Sequence, residues 1–155
     1  MRANGAVPAD ERWMLRAIDL SMACPPAAGA YSVGAVIVDA RGVEIASGYS
    51  READPVVHAE EAALAKLVAG DRRLAGATLY STLEPCSVRR SRPATCTQLI
   101  IEAGLARVVI AWREPNLFVA DCQGYELLTA AGVRVVELPT LARRARAVNA
   151  HLVGR

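Results

Sequence analysis

The sequence predicts an α/β fold: a mixed five-stranded sheet with helices on both faces. Three observations predict it. Five short runs of β-branched, aliphatic or aromatic residues are spread along the chain. The first two are separated only by Ala40-Arg41-Gly42, a turn that makes them an antiparallel hairpin. The later runs alternate with helix-forming stretches, and strands joined through helices run parallel.

The elements follow in order. Residues 1–8 read as a loose leader. Asp10 caps a first helix running to about Ala23, with Trp13, Ala17, Leu20 and Met22 among its apolar positions, and Pro25-Pro26 stops it. Val33–Asp39 is a β-branched buried strand, and Val43–Tyr49 returns beside it. After a loop over Arg51–Val57, His58–Ala69 is rich in strong helix formers and ends at Gly70-Asp71. Ala77–Thr82 is the third strand and Leu83–Thr95 a loop containing Pro and Arg. Cys96–Ala103 is a helix closed by Gly104. Arg107–Trp112 is the fourth strand, followed mostly by loop over Glu114–Gln123. Tyr125–Ala131 is a helix ended by Gly132, and Val133–Leu138 is the fifth strand. Leu141–Leu152 carries Arg143, Arg144 and Arg146 on an otherwise apolar helix, an amphipathic cover for the sheet.

Composition narrows the function classes. A chain of 155 residues fits one domain, and 53% apolar residues suffice for its core. Eighteen basic residues stand against 16 acidic ones, a formal net charge of +2. That balance argues against a dedicated binder of nucleic acid or anionic membranes. No secretory signal and no spanning apolar run is present, so the expectation is a cytoplasmic protein. Thiols stay reduced there, and four cysteines then suggest metal binding or catalysis before disulfides.

The chemistry concentrates in His58-Ala59-Glu60, Pro85-Cys86 and Cys96. One imidazole and two thiolates are a Zn2+-type donor set. Three protein ligands leave the fourth tetrahedral position open, which marks a catalytic rather than a structural zinc. Zinc lowers the pKa of bound water, and a carboxylate beside it, here Glu60, can move the protons. His-x-Glu followed by Pro-Cys and a second Cys is the signature of zinc nucleobase deaminases. Geometry raises one objection. Residues two apart on a regular helix do not share a face, so Glu61 is better placed beside His58 than Glu60 is. The motif nevertheless assigns Glu60. Cys24 and Cys122 lack partners at ligand spacing and read as packing residues, and His151 as a surface residue.

The chain resembles the pyrimidine deaminase domain of bacterial riboflavin biosynthesis, within the cytidine deaminase-like superfamily. The likeness runs from about Trp13 to Leu138. It is carried by Val33–Asp39, His58–Leu64, Thr82–Ser87, Cys96–Ala111, Arg113–Asn116 and Leu127–Leu138. It implies a three-layer α/β/α sandwich, with His58, Cys86 and Cys96 as zinc ligands and Glu60 as general acid and base. It also implies a small aminopyrimidine substrate, with Thr82, Glu84, Arg92 and Asn116 as pocket residues, and a homodimer or larger homo-oligomer. Glu84 has a structural alternative, orienting backbone amides near the ligand loop.

The departures concern substrate. The gap between Cys86 and Cys96 is nine residues, near the eight typical of the riboflavin branch and unlike the two common elsewhere in the superfamily. An Asn-Pro pair that grips the pyrimidine in that branch is replaced by Ala30-Tyr31, and a His after the first Cys by Val88. Arg92 stands four residues before Cys96, where the family meets the substrate phosphate, with Arg89 and Arg90 close by. The reductase domain that often follows is not expected, since the chain ends at Arg155. The expected activity is hydrolytic deamination of an amino-substituted pyrimidine, as a nucleotide. The alternatives are a deoxycytidylate-type, free-base or tRNA adenosine deaminase, a non-catalytic zinc-binding partner subunit, and a Cys86–Cys96 redox switch.

Overall fold

In a computed structural model, residues 5–113 and 123–152 are described. The elements are α1 (Pro8–Ser21), β1 (Gly34–Val38), β2 (Glu44–Tyr49), α2 (Ala59–Leu64), β3 (Thr78–Ser81), α3 (Cys96–Ala103), β4 (Arg107–Ile110), α4 (Gly124–Ala130), β5 (Arg134–Glu137) and α5 (Ala142–Ala147). The five strands form one sheet in the order β2-β1-β3-β4-β5. β1 runs antiparallel to both β2 and β3, while β3, β4 and β5 are parallel. β2 and β3 therefore point the same way, and their C-terminal ends open on one edge.

The crossovers β2-α2-β3, β3-α3-β4 and β4-α4-β5 all progress in one direction across the sheet. Right-handed connection puts their helices on one face, where α2 touches α3 and α3 touches α4. α1 packs on β1, β3 and β4, covering the other face. The core is the fully buried strand centre, with Val36, Ile37, Leu79, Val108, Val109 and Ile110, closed by Met14, Ile100 and Leu128. No helix among the described residues is long and apolar enough to cross a membrane.

Three expected boundaries are corrected. Asp10 does not sit at the N-cap of α1. The helix begins with Pro8 at its first turn, and Asp10 reaches back from the third position to accept from Val7 N–H at 2.8 Å. α2 ends at Leu64 rather than Ala69. Lys66 and Leu67 donate to carbonyls three residues back, and Lys66 Nζ leaves for Ser47 O and Glu52, so the chain tightens and unwinds. The C-terminal helix is likewise short. Past Ala147 the amides of Asn149, Ala150 and Leu152 bond three residues back, because Asn149 turns its buried side chain inward to the Ser32 backbone.

Two glycines let the elements approach closely enough to build a site. A Cβ on Gly48 would lie 2.6 Å from Ala63 N, so β2 and α2 meet backbone to backbone. A Cβ on Gly124 would lie 2.2 Å from Pro85 O, so α4 presses on the loop after β3.

Asp10 is fully buried and ties the far side of the sheet together. It accepts from Tyr80 Oη at 2.8 Å and from both terminal nitrogens of Arg107 at 2.8 and 2.6 Å. Burial alone would raise its pKa, but these hydrogen bonds, that from Val7, and the Arg107 charge hold it below the usual carboxylate range. A carboxyl depressed in the folded state stabilises at pH above its unfolded value, and that contribution is lost as pH falls through the folded value. Asp10→Ala leaves Arg107 without its charge partner and is expected to cost about 3 kcal/mol. Urea unfolding at pH 7 and pH 3 checks both statements, since the difference between wild type and variant should shrink at the lower pH.

Candidate zinc centre

The site lies at the C-terminal edge of β2 and β3. His58 is the N-cap of α2 and has extended backbone, φ −88° and ψ 160°. Cys86 follows β3, and Cys96 opens α3. Their ligand atoms converge. His58 Nδ1 lies 3.5 Å from Cys86 Sγ and 3.4 Å from Cys96 Sγ, and all three atoms fall within 4.8 Å of one another. Tetrahedral zinc with ordinary Zn–N and Zn–S bonds sets N···S separations at about 3.6 Å, so the donor set fits the metal.

The ligand loop is held by backbone. Cys96 N–H donates to Cys86 Sγ at 3.3 Å, and Thr97 donates its N–H and its hydroxyl to Cys86 O at 3.1 and 2.8 Å. Both cysteines are free thiols and buried. The pair divides its proton unequally. A hydrogen bond from Cys96 pulls the Cys86 thiol down to about 4, against the effect of burial and with help from His58. The same hydrogen bond, burial and the nearby Glu60 push Cys96 well above the usual thiol range. Burial works against charge on His58, but the Cys86 sulfur and Glu60 outweigh it and raise its pKa.

The objection about helical faces dissolves at His58. Because His58 precedes the helix, the spacing rule for helical neighbours does not govern it. Glu60, buried on the first turn, lines a cavity of about 800 Å³ together with His58 and Cys86. Ser81 Oγ lies 2.6 Å from Glu60 Oε1 and 2.8 Å from Leu83 O. Glu61 turns away. Its carboxylate accepts from His58 N–H at 3.2 Å, from Arg89 at 2.9 Å and from Arg92 at 3.2 Å. Ser81 has no place in the motif, and Glu61 enters the sequence reading only as a rival to Glu60, not as a cap and loop anchor. Ser81 carries no sequence signal beyond ending a buried strand, whereas Glu61 has the spacing of a capping-box acid.

The expected pocket residues scatter. Glu84 lines the cavity, and its Oε2 also accepts from Tyr125 N–H at 2.8 Å. Thr82 does not line it. Its hydroxyl accepts from Gly34 N–H at 3.2 Å and joins β3 to β1. Arg92 is engaged by Asp54 and Glu61. Asn116 and Cys122 lie outside the described residues. Cys24 is half-buried with its sulfur 3.5 Å from Val33 O, and His151 is exposed beside Ala27 O.

Three converging donors of the type zinc takes, with a buried carboxylate in the same cavity, point to the class. The chain belongs to the family of the cytidine and deoxycytidylate deaminase zinc-binding region, whose model matches residues 7–112. It is 43% identical over 129 residues to the diaminohydroxyphosphoribosylamino-pyrimidine deaminase of Schizosaccharomyces pombe, covering 82% of this chain and 31% of that protein. It superposes on RibD of Acinetobacter baumannii with a TM-score of 0.75 at 31% identity, covering 90% of this chain and 38% of that one. The Rib2 deaminase of Aspergillus oryzae, in complex with DARIPP, shares the fold at a TM-score of 0.76 and 24% identity, covering 90% and 88%. The chain thus spans about a third of the length of the yeast relative.

Zinc bound by this donor set would displace the proton held by Cys96, whose pKa is raised, and that of His58 when charged, so uptake would release protons. Apparent affinity should therefore rise at least about tenfold per pH unit near neutrality. Chelator competition on the wild type, with Cys96→Ser beside it, checks the slope. The variant should bind about 100-fold more weakly, an effect at least as large as loss of a supporting residue.

Proposed function

We propose that this chain catalyses hydrolytic deamination of an amino-substituted pyrimidine nucleotide, with zinc on His58, Cys86 and Cys96 and Glu60 moving the protons. The observation that carries the reading is the buried Glu60 in the wall of the cavity that also holds His58 and Cys86. A zinc ion held there by His58, Cys86 and Cys96 would acidify a water and make it the nucleophile. Glu60 would take a proton from that water and give it to the ring nitrogen, then collect the proton of the hydroxyl added to the ring carbon and hand it to the amine as it leaves as ammonia.

Ser81 suits that shuttle. One hydroxyl hydrogen serves either Glu60 Oε1 or Leu83 O. With Glu60 ionised, the hydrogen points at the carboxylate. With Glu60 protonated, the acid donates to Ser81 Oγ and the hydroxyl turns to Leu83 O. Either state of Glu60 keeps a hydrogen-bond partner.

The names of the yeast and bacterial relatives favour a phosphoribosylated diaminopyrimidine as substrate. The nine-residue gap between the cysteines points the same way. The described residues are taken as one deaminase unit, working in the cytoplasm. We also expect a homodimer or larger assembly, supported by the exposed Ile101 and Leu127 on the adjacent helices α3 and α4. Sedimentation of the zinc-loaded protein tests this. A deoxycytidylate-type substrate and a non-catalytic partner subunit are the other outcomes. Burial of Glu60 speaks against the second, because a structural zinc needs no proton carrier.

Ammonia release by zinc-loaded protein decides. The panel holds the riboflavin diaminopyrimidine intermediate with and without its phosphate, deoxycytidylate, cytidine, cytosine, adenine and guanine. Glu60→Gln should lower kcat by about a thousandfold, the scale of general acid–base catalysis. Glu61→Gln should stay within about tenfold, being a cap and loop anchor. Ser81→Ala should fall between them. Activity that survives Glu60→Gln and dies in Glu61→Gln would reverse the assignment.

A further inference from the structure

We infer that Arg89, and not Arg92, is the anion contact of this cavity, and that Arg92 is an anchor of the loop between the cysteines. The inference rests on the nucleotide reading above.

Arg92 is spent on protein. Its guanidinium pairs with Asp54 and, at 3.2 Å, with Glu61 Oε2, and its side chain is 32% exposed. It is not part of the cavity wall. A phosphate arriving there would have to displace two carboxylates.

Arg89 also pairs with Glu61, but it differs in burial, in position and in holding one donor back. Its side chain is only 3% exposed, and it lines the cavity with His58 and Glu60. Nε donates to Ser91 Oγ at 3.0 Å, and Nη2 donates to Val56 O and Glu61 Oε1 at 2.6 and 2.9 Å. Those bonds fix the plane of the guanidinium. Nη1 is buried and has no partner among the described residues. Buried donors are nearly always bonded, and leaving one unmade is costly. A guanidinium immobilised on two sides with a free donor on the third is a prepared site for an oxyanion.

Charge supports an anion over a neutral acceptor. Arg89 and Arg92 share a network with two acids, Glu61 and Asp54, which matches their charge. Both acids are engaged, and Arg90 lines the cavity beside Arg89. Along the wall Arg51, Arg89 and Arg90 stand against Glu60 and Glu84, and a phosphate is the complement of its basic side.

The test is calorimetric titration of ribose 5-phosphate, ribose and inorganic phosphate into zinc-loaded full-length protein. Wild type should bind ribose 5-phosphate and not ribose, with inorganic phosphate as a weaker competitor. Arg89→Ala and Arg89→Lys should each weaken ribose 5-phosphate at least about tenfold, since Lys keeps the charge but loses the fixed fork. Arg92→Ala should stay within about threefold. Zinc content and melting temperature of each variant separate lost contact from lost fold, and Arg89→Lys covers the case where Arg89→Ala does not fold. Wild-type affinity in Arg89→Lys, a larger loss in Arg92→Ala, or equal affinity for ribose would each overturn the inference. Ammonia release on the phosphorylated and unphosphorylated diaminopyrimidine separates the two readings. Arg89-dependent phosphate binding without deamination would sink the catalytic reading alone. Equal turnover of both compounds would sink the role of Arg89 alone.

Discussion

The site depends on where α2 begins. His58 ends an extended segment, and the helix starts one residue later. That single turn sorts two adjacent carboxylates into different positions. Glu60 is carried inward to Ser81, and Glu61 outward to His58 N–H, Arg89 and Arg92. If the helix began earlier, His58 would share a face with Glu61, and the metal would meet a carboxylate already engaged by two arginines. The start is fixed from two sides. Glu61 satisfies an amide that the helix leaves open. Gly48 lets α2 settle on β2 at a distance that any side chain would forbid.

Strand direction then brings the other ligands. β2 and β3 are each antiparallel to β1, so both deliver their C-terminal ends to one edge. One leads to His58 and the other to Cys86. Sites at this edge are the common outcome in open α/β sheets. The cost of the arrangement is a nine-residue excursion between Cys86 and Cys96, which must be ordered without a strand or helix of its own. Glu61 and Asp54 tie its arginines on one side, and Cys86 accepts three hydrogen bonds from α3 on the other. The loop is therefore built into the ligand set.

What was legible in the sequence follows from range. Strand and helix order is written in local patterns, and the β-branched runs at Val33–Asp39 and Arg107–Trp112 lie where the strands lie. The grouping of His58, Cys86 and Cys96 was legible because zinc tolerates few ligand types, and the fold brings their ligand atoms within 4.8 Å of one another. Features that depend on distant partners were not legible. The HAEEAALAKLVA stretch reads as helix to Ala69, yet Lys66 leaves it for Ser47 and Glu52 on and beyond β2. Arg92 occupies the position expected for phosphate, yet Asp54 claims it from 38 residues away. The objection raised against Glu60 assumed a helix through His58, and only the backbone dihedral at that residue removes it.

The Ala30–Tyr31 side of the cavity also depends on distant partners. Ala30 and Tyr31 line the cavity without the amide expected to grip a pyrimidine. Their backbone is nevertheless firmly placed. Arg51 donates to Pro25 O, Tyr31 O and Ser32 Oγ, at distances of 2.8 to 3.0 Å. It does so from a left-handed backbone, φ 63°, which a non-glycine residue holds only when its surroundings impose it. Asn149 closes the other end, pairing with both N–H and O of Ser32 across 117 residues. Selectivity on this side then resides in the position of a braced backbone and the ring of Tyr31, which stacks edge-on against Trp112 at 5.8 Å. A wall that discriminates by shape instead of by an amide hydrogen bond separates substrates weakly. In the reading proposed above, recognition falls to the charged side of the cavity, where Arg89 Nη1 is without a partner among the described residues.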